Sequence, residues 1–292
     1  PPPPPQPPPA HARSAHTHNP SVLPMSSSQK PSHRAFKKSV LKKESGVPIY
    51  ETNIDPIVWE DNKIQSKKVS RVEIKNVEGA ALLRNVLTEG ECKQFVDVAE
   101  NLGFCKALVT TSRGMVEDEM RNNKRVIWQT PMKFLNETVW KRIEDHVESK
   151  IVLGSRKPWY KCGLNERIRF YRYTGGERFS PHYDGCFARN RSDIERSFYT
   201  IIIYLNDDPK RVGGETTFFF NPKNTKYEKP FDVQRVENRF GSTSMGVSKV
   251  KPETGSALIF YHSHPLSPLH EGTELSAGSK YVLRSDIMFK QA

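Results

Sequence analysis

After residue 159 the hydrophobic pattern of the chain changes to a period of two, which is the pattern of β-strands. A strand of this kind buries every second side chain, so the chain must supply a second layer that covers the buried face. The strand-like segments are 167–173, 198–205, 216–220, 256–261 and 280–289. Gly, Asn, Asp and Pro separate them, as in tight connections. This arrangement favours an α+β fold in which a double-stranded β-helix (jelly roll) follows supporting N-terminal helices.

Two helices are predicted before the strands. The first begins after Thr88, which forms a capping box with Glu91, and it ends at Gly103. The second runs from about 136 to 151, with its apolar residues at helical spacing. Between the helices, residues 109–128 are polar and rich in Arg and Asn, which favours a long loop or lid near the entrance of a site.

The 292 residues are enough for one large domain with an extended tail. Residues 1–45 are Pro-rich and basic and contain too few apolar side chains for a core, so they are predicted to be a disordered tail. Residues 46–292 would form the domain, with helical support at about 76–158 and the jelly roll at about 160–290. Within the jelly roll, residues 221–250 read as a mobile insertion because Asn, Lys, Ser and Gly recur throughout them.

The formal net charge of +12 is unevenly distributed. Residues 1–50 contain seven Lys and Arg and one acidic residue, Glu44. Their net charge of 7 − 1 = +6 is half of the net charge of the chain. Attraction of nucleic acid to the basic tail is therefore possible, whereas recognition of bases is not indicated. No apolar run approaches the roughly 20 residues that span a bilayer, so no membrane contact is expected. The oligomeric state is left open.

The number and spacing of the cysteines help to predict the cellular compartment of the protein. The four cysteines are scattered without a C-x-x-C pair, so neither a disulfide framework nor a zinc site is predicted. No hydrophobic signal segment opens the sequence. A cytoplasmic or nuclear location is expected.

His182 and Asp184 are the first candidates for chemistry. Strand residues two positions apart project to the same face, which places an imidazole and a carboxylate roughly 7 Å apart at their bases. A second histidine from a distant strand would complete a facial triad of two His and one carboxylate, the ligand set of non-haem Fe(II) oxygenases. His262, His264 and His270 are the candidates for that position. An isolated His-x-Asp in a soluble protein is more often a surface pair, so the surrounding residues decide the interpretation.

Several other polar residues accompany this pair. Tyr173 precedes His182 by nine residues, with a Gly-Gly turn between them, and Tyr204 lies on the next apolar strand. Lys280 and Arg284 share one face of the last strand. Two cations on one strand face indicate either exposure to solvent or an anion in a pocket.

Together these features resemble the 2-oxoglutarate- and Fe(II)-dependent dioxygenases, specifically their prolyl 4-hydroxylase-like branch. The matching segments are Tyr173-x5-Phe179-x2-His182-x-Asp184, Tyr204-Leu205-Asn206, Gly213-Gly214-Glu215-Thr216, the run from Gly255 to Phe260, and His270-x9-Lys280. Weaker similarity extends over about residues 76–290.

The resemblance implies a role for each matching residue. The iron ligands it implies are His182, Asp184 and His270. Lys280 and Tyr204 would bind the distal carboxylate of 2-oxoglutarate, and Tyr173 would line the cosubstrate pocket. Arg284 is the second candidate cation for the cosubstrate, but it lies about 13 Å from Lys280 along the strand. Asp286, on the same face, would give Arg284 a structural ion pair.

The implied cofactors are Fe(II), 2-oxoglutarate and O2, with ascorbate as a reductant. The implied reaction is hydroxylation of a C–H bond with release of succinate and CO2. The leading substrate is a protein or peptide residue such as proline. Two alternatives remain: oxidative demethylation of nucleic acid, for which Phe218–Phe220 would have to stack a flipped base, and a non-catalytic jelly-roll binding module. Residues 221–250 depart from the compact pattern of the family, and loops of this kind often carry specificity.

Overall fold

The strands and helices are seen in a computed structural model that describes residues 33–44, 47–61, 68–106, 109–111, 114–116, 121–154, 156–189, 194–220 and 246–291. The strands are β1 (Lys38–Glu44), β2 (Val47–Thr52), β3 (Ser70–Glu73), β4 (Ala81–Arg84), β5 (Cys105–Lys106), β6 (Val109–Thr111), β7 (Gly114–Val116), β8 (Lys124–Gln129), β9 (Lys150–Ile151), β10 (Trp159–Leu164), β11 (Arg167–Tyr173), β12 (Glu177–His182), β13 (Glu195–Tyr204), β14 (Val212–Gly213), β15 (Thr216–Phe220), β16 (Gly246–Val250), β17 (Ala257–Tyr261), β18 (Leu269–Ala277) and β19 (Lys280–Gln291). The helices are α1 (Glu89–Leu102), α2 (Met132–Leu135), a π-helix (Asn136–Trp140), α3 (Lys141–Ile143) and a 3-10 helix (Glu144–His146).

Most of the predicted strands belong to one large sheet. In the described part of the chain its order is β1-β2-β8-β11-β19-β13-β17-β4-β3, with β10 and β5 pairing at its side. Strands β2 and β8 run parallel, whereas β11 and β13 both pair antiparallel with β19. Strands β11 and β15 have the predicted bounds, and β13, β17 and β19 overlap the other three predicted segments. The period-two pattern thus located the central strands.

A smaller sheet faces the inner side of the large one. Its order is β12-β18-β15-β16, and β14 pairs with β18. Tyr171, Tyr204 and Val282 of the large sheet share a buried cluster with Phe218 and Leu275 of the small sheet. Two facing, largely antiparallel sheets with a common core form the double-stranded β-helix, so the predicted fold class is confirmed.

Helix α1 covers the outer side of the large sheet. The Thr88 side chain accepts from the backbone N–H of Glu91 at 3.0 Å, the Glu91 carboxylate accepts from the backbone N–H of Thr88 at 3.0 Å, and Gly103 follows as the C-cap. Phe95 of the helix packs against Phe170 of β11, with ring centroids 6.2 Å apart. The inner side of the sheet is therefore free to form a site. No helix in the described residues combines the length and the apolar character needed to cross a membrane.

The second predicted helix is wrong in both bounds. Helical residues extend from 132 to 146, through short α, π and 3-10 turns, rather than from 136 to 151. Val147 is extended, and β9 then pairs with β10. Sheet pairing overrides the helical pattern at this point, although Trp140, Ile143 and Val147 are buried as the pattern requires.

The predicted lid over 109–128 is also partly wrong. Strand β8 lies inside the large sheet between β2 and β11, with Val126 and Trp128 buried. Arg125, one residue before Val126, lies on the inner face of the sheet. Its charge interrupts the apolar pattern by which the strand would have been predicted.

Two predicted boundaries change as well. Residues 38–44 form β1, which pairs with β2, so the tail does not extend to residue 45. At the other boundary, residues 246–250 of the predicted insertion form β16 and pair with β15. The rest of both predictions, 1–32 and 221–245, lies outside the described residues.

Candidate active site

His182, Asp184 and His270 meet between the two sheets. His182 ends β12 and lies directly opposite His270 of β18, and Asp184 follows two residues later. The potential ligand atoms of the three side chains lie within 4.8 Å of one another. His182 Nε2 is 3.7 Å from Asp184 Oδ1, and His270 Nε2 is 3.7 Å from Asp184 Oδ2. The fold thus brings together a pair that is adjacent in sequence and a histidine that is remote from it.

Both imidazoles present an unprotonated Nε2 to this centre. His182 Nδ1 lies 2.8 Å from the Ser180 carbonyl oxygen, and His270 Nδ1 lies 3.2 Å from the Pro268 carbonyl oxygen. Because a carbonyl only accepts, each Nδ1 carries the proton. Burial lowers the pKa of His182 to about 3 and also lowers the pKa of His270. Both rings are therefore neutral near pH 7, the form that binds a metal ion.

Asp184 supplies the negative charge. Burial would raise its pKa, but Arg284, the two imidazoles and the Thr200 hydroxyl outweigh burial and hold the pKa well below its usual value. Arg284 Nη2 lies 3.2 Å from Asp184 Oδ1, and Thr200 Oγ1 donates to Asp184 Oδ2 at 2.6 Å. One ionised carboxylate and two neutral imidazoles match the donor set of the facial triad.

A chain of buried hydrogen bonds leads away from Asp184. Thr200 Oγ1 lies 2.9 Å from His262 Nδ1, and His262 Nε2 lies 2.7 Å from Ser197 Oγ. Burial lowers the pKa of His262 to about 4, so its ring is neutral near pH 7. Since the Thr200 hydroxyl proton is donated to Asp184, His262 Nδ1 must donate to Thr200, and Ser197 must donate to His262 Nε2. The Ser197 oxygen in turn accepts from the backbone N–H of Phe187 at 2.8 Å.

His262 and His264 are not among the clustered ligand atoms. His262 belongs to the hydrogen-bond chain, one residue removed from Asp184. The His264 ring stacks on Tyr261 at 4.0 Å. Of the three histidines considered from the sequence, the structure brings only His270 to the centre.

Lys280 lies in the same cavity as the three ligands. It is 3% exposed, and its Nζ lies 5.0 Å from the ring centroid of Tyr173 and 5.8 Å from that of Tyr204. The Tyr204 hydroxyl is hydrogen-bonded to Thr216 Oγ1 at 2.8 Å, and Thr216 also lines the cavity. In the part of the chain that the structure describes, Lys280 forms no ion pair. A buried ammonium group of this kind is suited to an anionic ligand.

Arg284 lies at the other end of the cavity. It pairs with Asp286 at 3.4 Å, as the sequence predicts, but it also contacts Asp184. The second contact was not predicted. Arg284 is thus next to the predicted metal ligands, whereas Lys280 is enclosed by Tyr173 and Tyr204.

Residues 168–285 match the family model described as the 2OG-Fe(II) oxygenase superfamily. This region includes every site residue that was predicted from the sequence. Over this region, 118 of its 292 residues, the chain is similar to the 2OG-Fe(II) oxygenases. This similarity and the His-Asp-His centre imply a 2-oxoglutarate-dependent dioxygenase with Fe(II), 2-oxoglutarate and O2.

Individual relatives of this oxygenase are more distant. Probable prolyl 4-hydroxylase 10 of Arabidopsis thaliana is 26% identical over 224 residues, which cover 74% of this chain and 71% of the relative. Probable prolyl 4-hydroxylase 7 of the same organism is 24% identical over 213 residues, which cover 68% of this chain and 59% of the relative. The crystal structure of a Pseudomonas putida prolyl-4-hydroxylase covers 72% of this chain and 92% of its own, at 14% identity and a TM-score of 0.46.

Binding of 2-oxoglutarate to the oxygenase is predicted to weaken as pH rises above about 7. Burial, with Arg211 nearby, lowers the pKa of Lys280 to about 7, and Glu215 acts in the opposite direction. The two tyrosines around Lys280 stay neutral because burial raises their pKa values. Only the protonated amine pairs with a carboxylate, so affinity should fall about tenfold per pH unit above the pKa of Lys280.

Calorimetric titration between about pH 6 and 9 measures this effect. The control is Lys280→Arg, because a guanidinium stays charged over the whole range and should remove the decline. The same decline in both proteins would assign it to another group.

Thr200→Val is predicted to weaken metal binding about 10- to 100-fold, the usual cost of removing a partner that orients a ligand. Valine keeps the shape of threonine but cannot donate to Asp184 or accept from His262. Titration with Mn(II) measures the affinity without turnover. The matched control is Thr217→Val, because Thr217 is also buried and its hydroxyl has no hydrogen-bond partner among the described residues. Wild-type affinity in Thr200→Val would show that the hydrogen bond does not support Asp184.

Two residues near the centre, Thr200 and Arg121, were not predicted as site residues. Thr200 lies four residues before Tyr204, and this even spacing on one strand could have indicated that both side chains face the site. Arg121 lies in the predicted lid segment, and no spacing linked it to the site; its guanidinium lies 3.7 Å from the ring centroid of Phe179. That ring stacks on His182 at 3.5 Å.

Proposed function

We propose that this oxygenase hydroxylates a prolyl residue of a protein or peptide, with His182, Asp184 and His270 as the iron ligands. The observation that carries the proposal is the joint presence, in one cavity, of two neutral imidazoles, one ionised carboxylate and a buried ammonium group. The choice of proline is supported by the names of the curated relatives, which are prolyl 4-hydroxylases.

Each group of the chain has a defined task in this proposal. Bound Fe(II) and 2-oxoglutarate supply the oxidation of a C–H bond by O2, and the cosubstrate leaves as succinate and CO2. Lys280 binds the distal carboxylate of 2-oxoglutarate with help from the Tyr204 hydroxyl. Thr200 and Arg284 orient Asp184 through its two oxygens. Phe179 covers one face of the His182 ring and shields it from water.

The nucleic-acid alternative loses one residue, Phe218, of its proposed stacking platform Phe218–Phe220. Phe218 is completely buried and packs against Phe260, with ring centroids 5.2 Å apart. A residue in the core between the sheets is not available to stack an extruded base.

Incubation with a library of proline-containing peptides, Fe(II), 2-oxoglutarate and ascorbate tests the proposal. The expected result is a mass increase of one oxygen on proline, matched by an equal amount of succinate. Asp184→Ala is the inactive control. Oxygen on a different residue type, or demethylation of an oligonucleotide without peptide oxidation, would contradict the proposal.

A further inference from the structure

Four arginines surround Tyr171 on the inner face of the large sheet. Arg125 of β8 pairs directly with Tyr171 of β11, and Arg169 lies two residues earlier on β11. Arg284 of β19 is the ladder partner of Arg169. The guanidinium carbon of Arg121 lies 5.6 Å from the centroid of the Tyr171 ring. We refer to Arg121, Arg125, Arg169 and Arg284 as the arginine cluster.

The cluster has more positive than negative charge. Asp286 lies 3.5 Å from Arg169 and 3.4 Å from Arg284, so these two arginines share a counter-ion. Within the described ranges, neither Arg121 nor Arg125 forms an ion pair with a carboxylate. Arg121, which lines the cavity of the candidate metal centre, and Arg125, beside Tyr171, thus have no anion among those residues.

Unpaired polar atoms concentrate in the same segment. Arg125 is only 8% exposed, yet its Nε has no hydrogen-bond partner among the described residues, and the buried Nε of Arg121 has none either. Asn123, between them in the chain, is completely buried with both amide atoms unpaired. Buried polar groups are nearly always paired in native proteins, so the Nε donor of Arg121, which lines the cavity, is suited to a ligand that accepts hydrogen bonds.

The effect on Tyr171 shows the sign of the local potential. Burial raises the pKa of Tyr171, but the charges of the four clustered arginines outweigh burial and lower it. Glu271 is a further carboxyl group that lines the cavity. The four arginines thus make the surroundings of Tyr171 positive.

The cosubstrate does not account for the cluster. The charged groups that act on Lys280 are Arg211 and Glu215, neither of which belongs to the cluster. Lys280 and Arg284 are also four residues apart on β19, about 13 Å along the strand. The cavity therefore has one cationic region at Lys280 and another at Arg121 and Arg284, and 2-oxoglutarate bound at Lys280 leaves Arg121 without an anion.

We infer that the arginine cluster binds a carboxylate of the substrate, so that the preferred peptides carry this group close to the hydroxylated residue. The inference rests on the proposed function, because it takes the substrate to be a peptide. Arg121 is the residue that contacts the carboxylate, because it lines the cavity and a guanidinium presents a planar pair of donors that matches this group. Arg125 adds positive charge beside Tyr171. The carboxylate is either an acidic side chain or the C-terminus of the peptide.

Matched peptide pairs test the inference. One pair differs by Glu against Gln beside the proline, and the other by a free against an amidated C-terminus, which distinguishes the two sources. The wild-type protein should favour the acidic member by about 10- to 150-fold in kcat/KM, the usual range for a charge-assisted hydrogen bond. Arg121→Gln should reduce this preference to near unity and leave the KM for 2-oxoglutarate unchanged.

Arg178→Gln is the matched control. Arg178 precedes Phe179 on β12, but its side chain is 45% exposed and pairs with Glu274 at 3.4 Å. This variant should keep the wild-type preference. Arg125→Gln is the second test variant, and a melting curve separates loss of preference from loss of folding.

Each contrary outcome has a distinct meaning. Equal turnover of both members by the wild-type protein would overturn the inference and leave peptide hydroxylation standing. A raised KM for 2-oxoglutarate in Arg121→Gln would assign the cluster to the cosubstrate and overturn it as well. If no peptide is hydroxylated, the proposed function fails. The inference is then tested by calorimetric binding of the same peptide pairs to Mn(II)-loaded protein, and equal affinities of the two members overturn it. Arg121-dependent binding of a single-stranded oligonucleotide, without binding of acidic peptides, would also overturn it.

Discussion

His182→Ala, Asp184→Ala and His270→Ala should each lose iron binding and all detectable turnover. Each removes one of three protein ligands, and the two that remain cannot form a facial triad. Calorimetric titration with Mn(II) and a succinate assay measure the two losses separately. His264→Ala is the control that should retain both, because its ring stacks on Tyr261 away from the centre.

His262→Ala should give an intermediate result. From the sequence alone this histidine is either a ligand or unrelated to the site, but it hydrogen-bonds the threonine that orients Asp184. A modest loss of metal affinity is expected rather than complete loss. Complete loss in His262→Ala with normal binding in His270→Ala would show that the ligand assignment is wrong.

Lys280→Met should raise the KM for 2-oxoglutarate about 10- to 150-fold while iron stays bound. The variant keeps most of the side-chain volume and removes the charge that would pair with the distal carboxylate, an interaction of about 1.5–3 kcal/mol. Arg284→Met should give the opposite pattern, with weaker metal binding and a lower melting temperature, because Arg284 contacts Asp184 and Asp286. Titrating 2-oxoglutarate and Mn(II) into both variants compares them directly. If Arg284→Met alone raised the KM for 2-oxoglutarate, the two assignments would have to be exchanged.

The sequence predicts strands well where one face is apolar. Segments 167–173 and 216–220 alternate regularly and form β11 and β15 with those bounds. A single strand was assumed for His182 and Asp184, but β12 ends at His182, and β18 was not predicted; these two strands carry two of the three candidate ligands. Strand β12 contains Pro181, β18 contains Gly272, and their pairing shifts register on both sides of Phe179. The strand pattern of the sequence is therefore least regular in the two strands that carry candidate metal ligands.

The site residues divide in a similar way. The candidate ligands and Lys280 were predicted because their type and spacing follow a known pattern. Thr200 and His262 were missed as a pair because their relation depends on the pairing of β13 with β17, which a one-dimensional pattern does not show. Arg125 was hidden because a charged side chain on the inner face interrupts the apolar alternation of β8. Polar residues that face a site therefore weaken the signal that would locate their own strand.

The direct pairing of His182 with His270 has a further consequence for stability. A divalent ion held by both side chains is a reversible cross-link between two strands that are far apart in the chain. The link closes a long loop containing β13 to β17, and it can form only when the small sheet is assembled. An ion at about 100 times its dissociation constant would add roughly 2.7 kcal/mol to the free energy of unfolding. The supply of free iron would then set the lifetime of the folded protein as well as its rate of turnover.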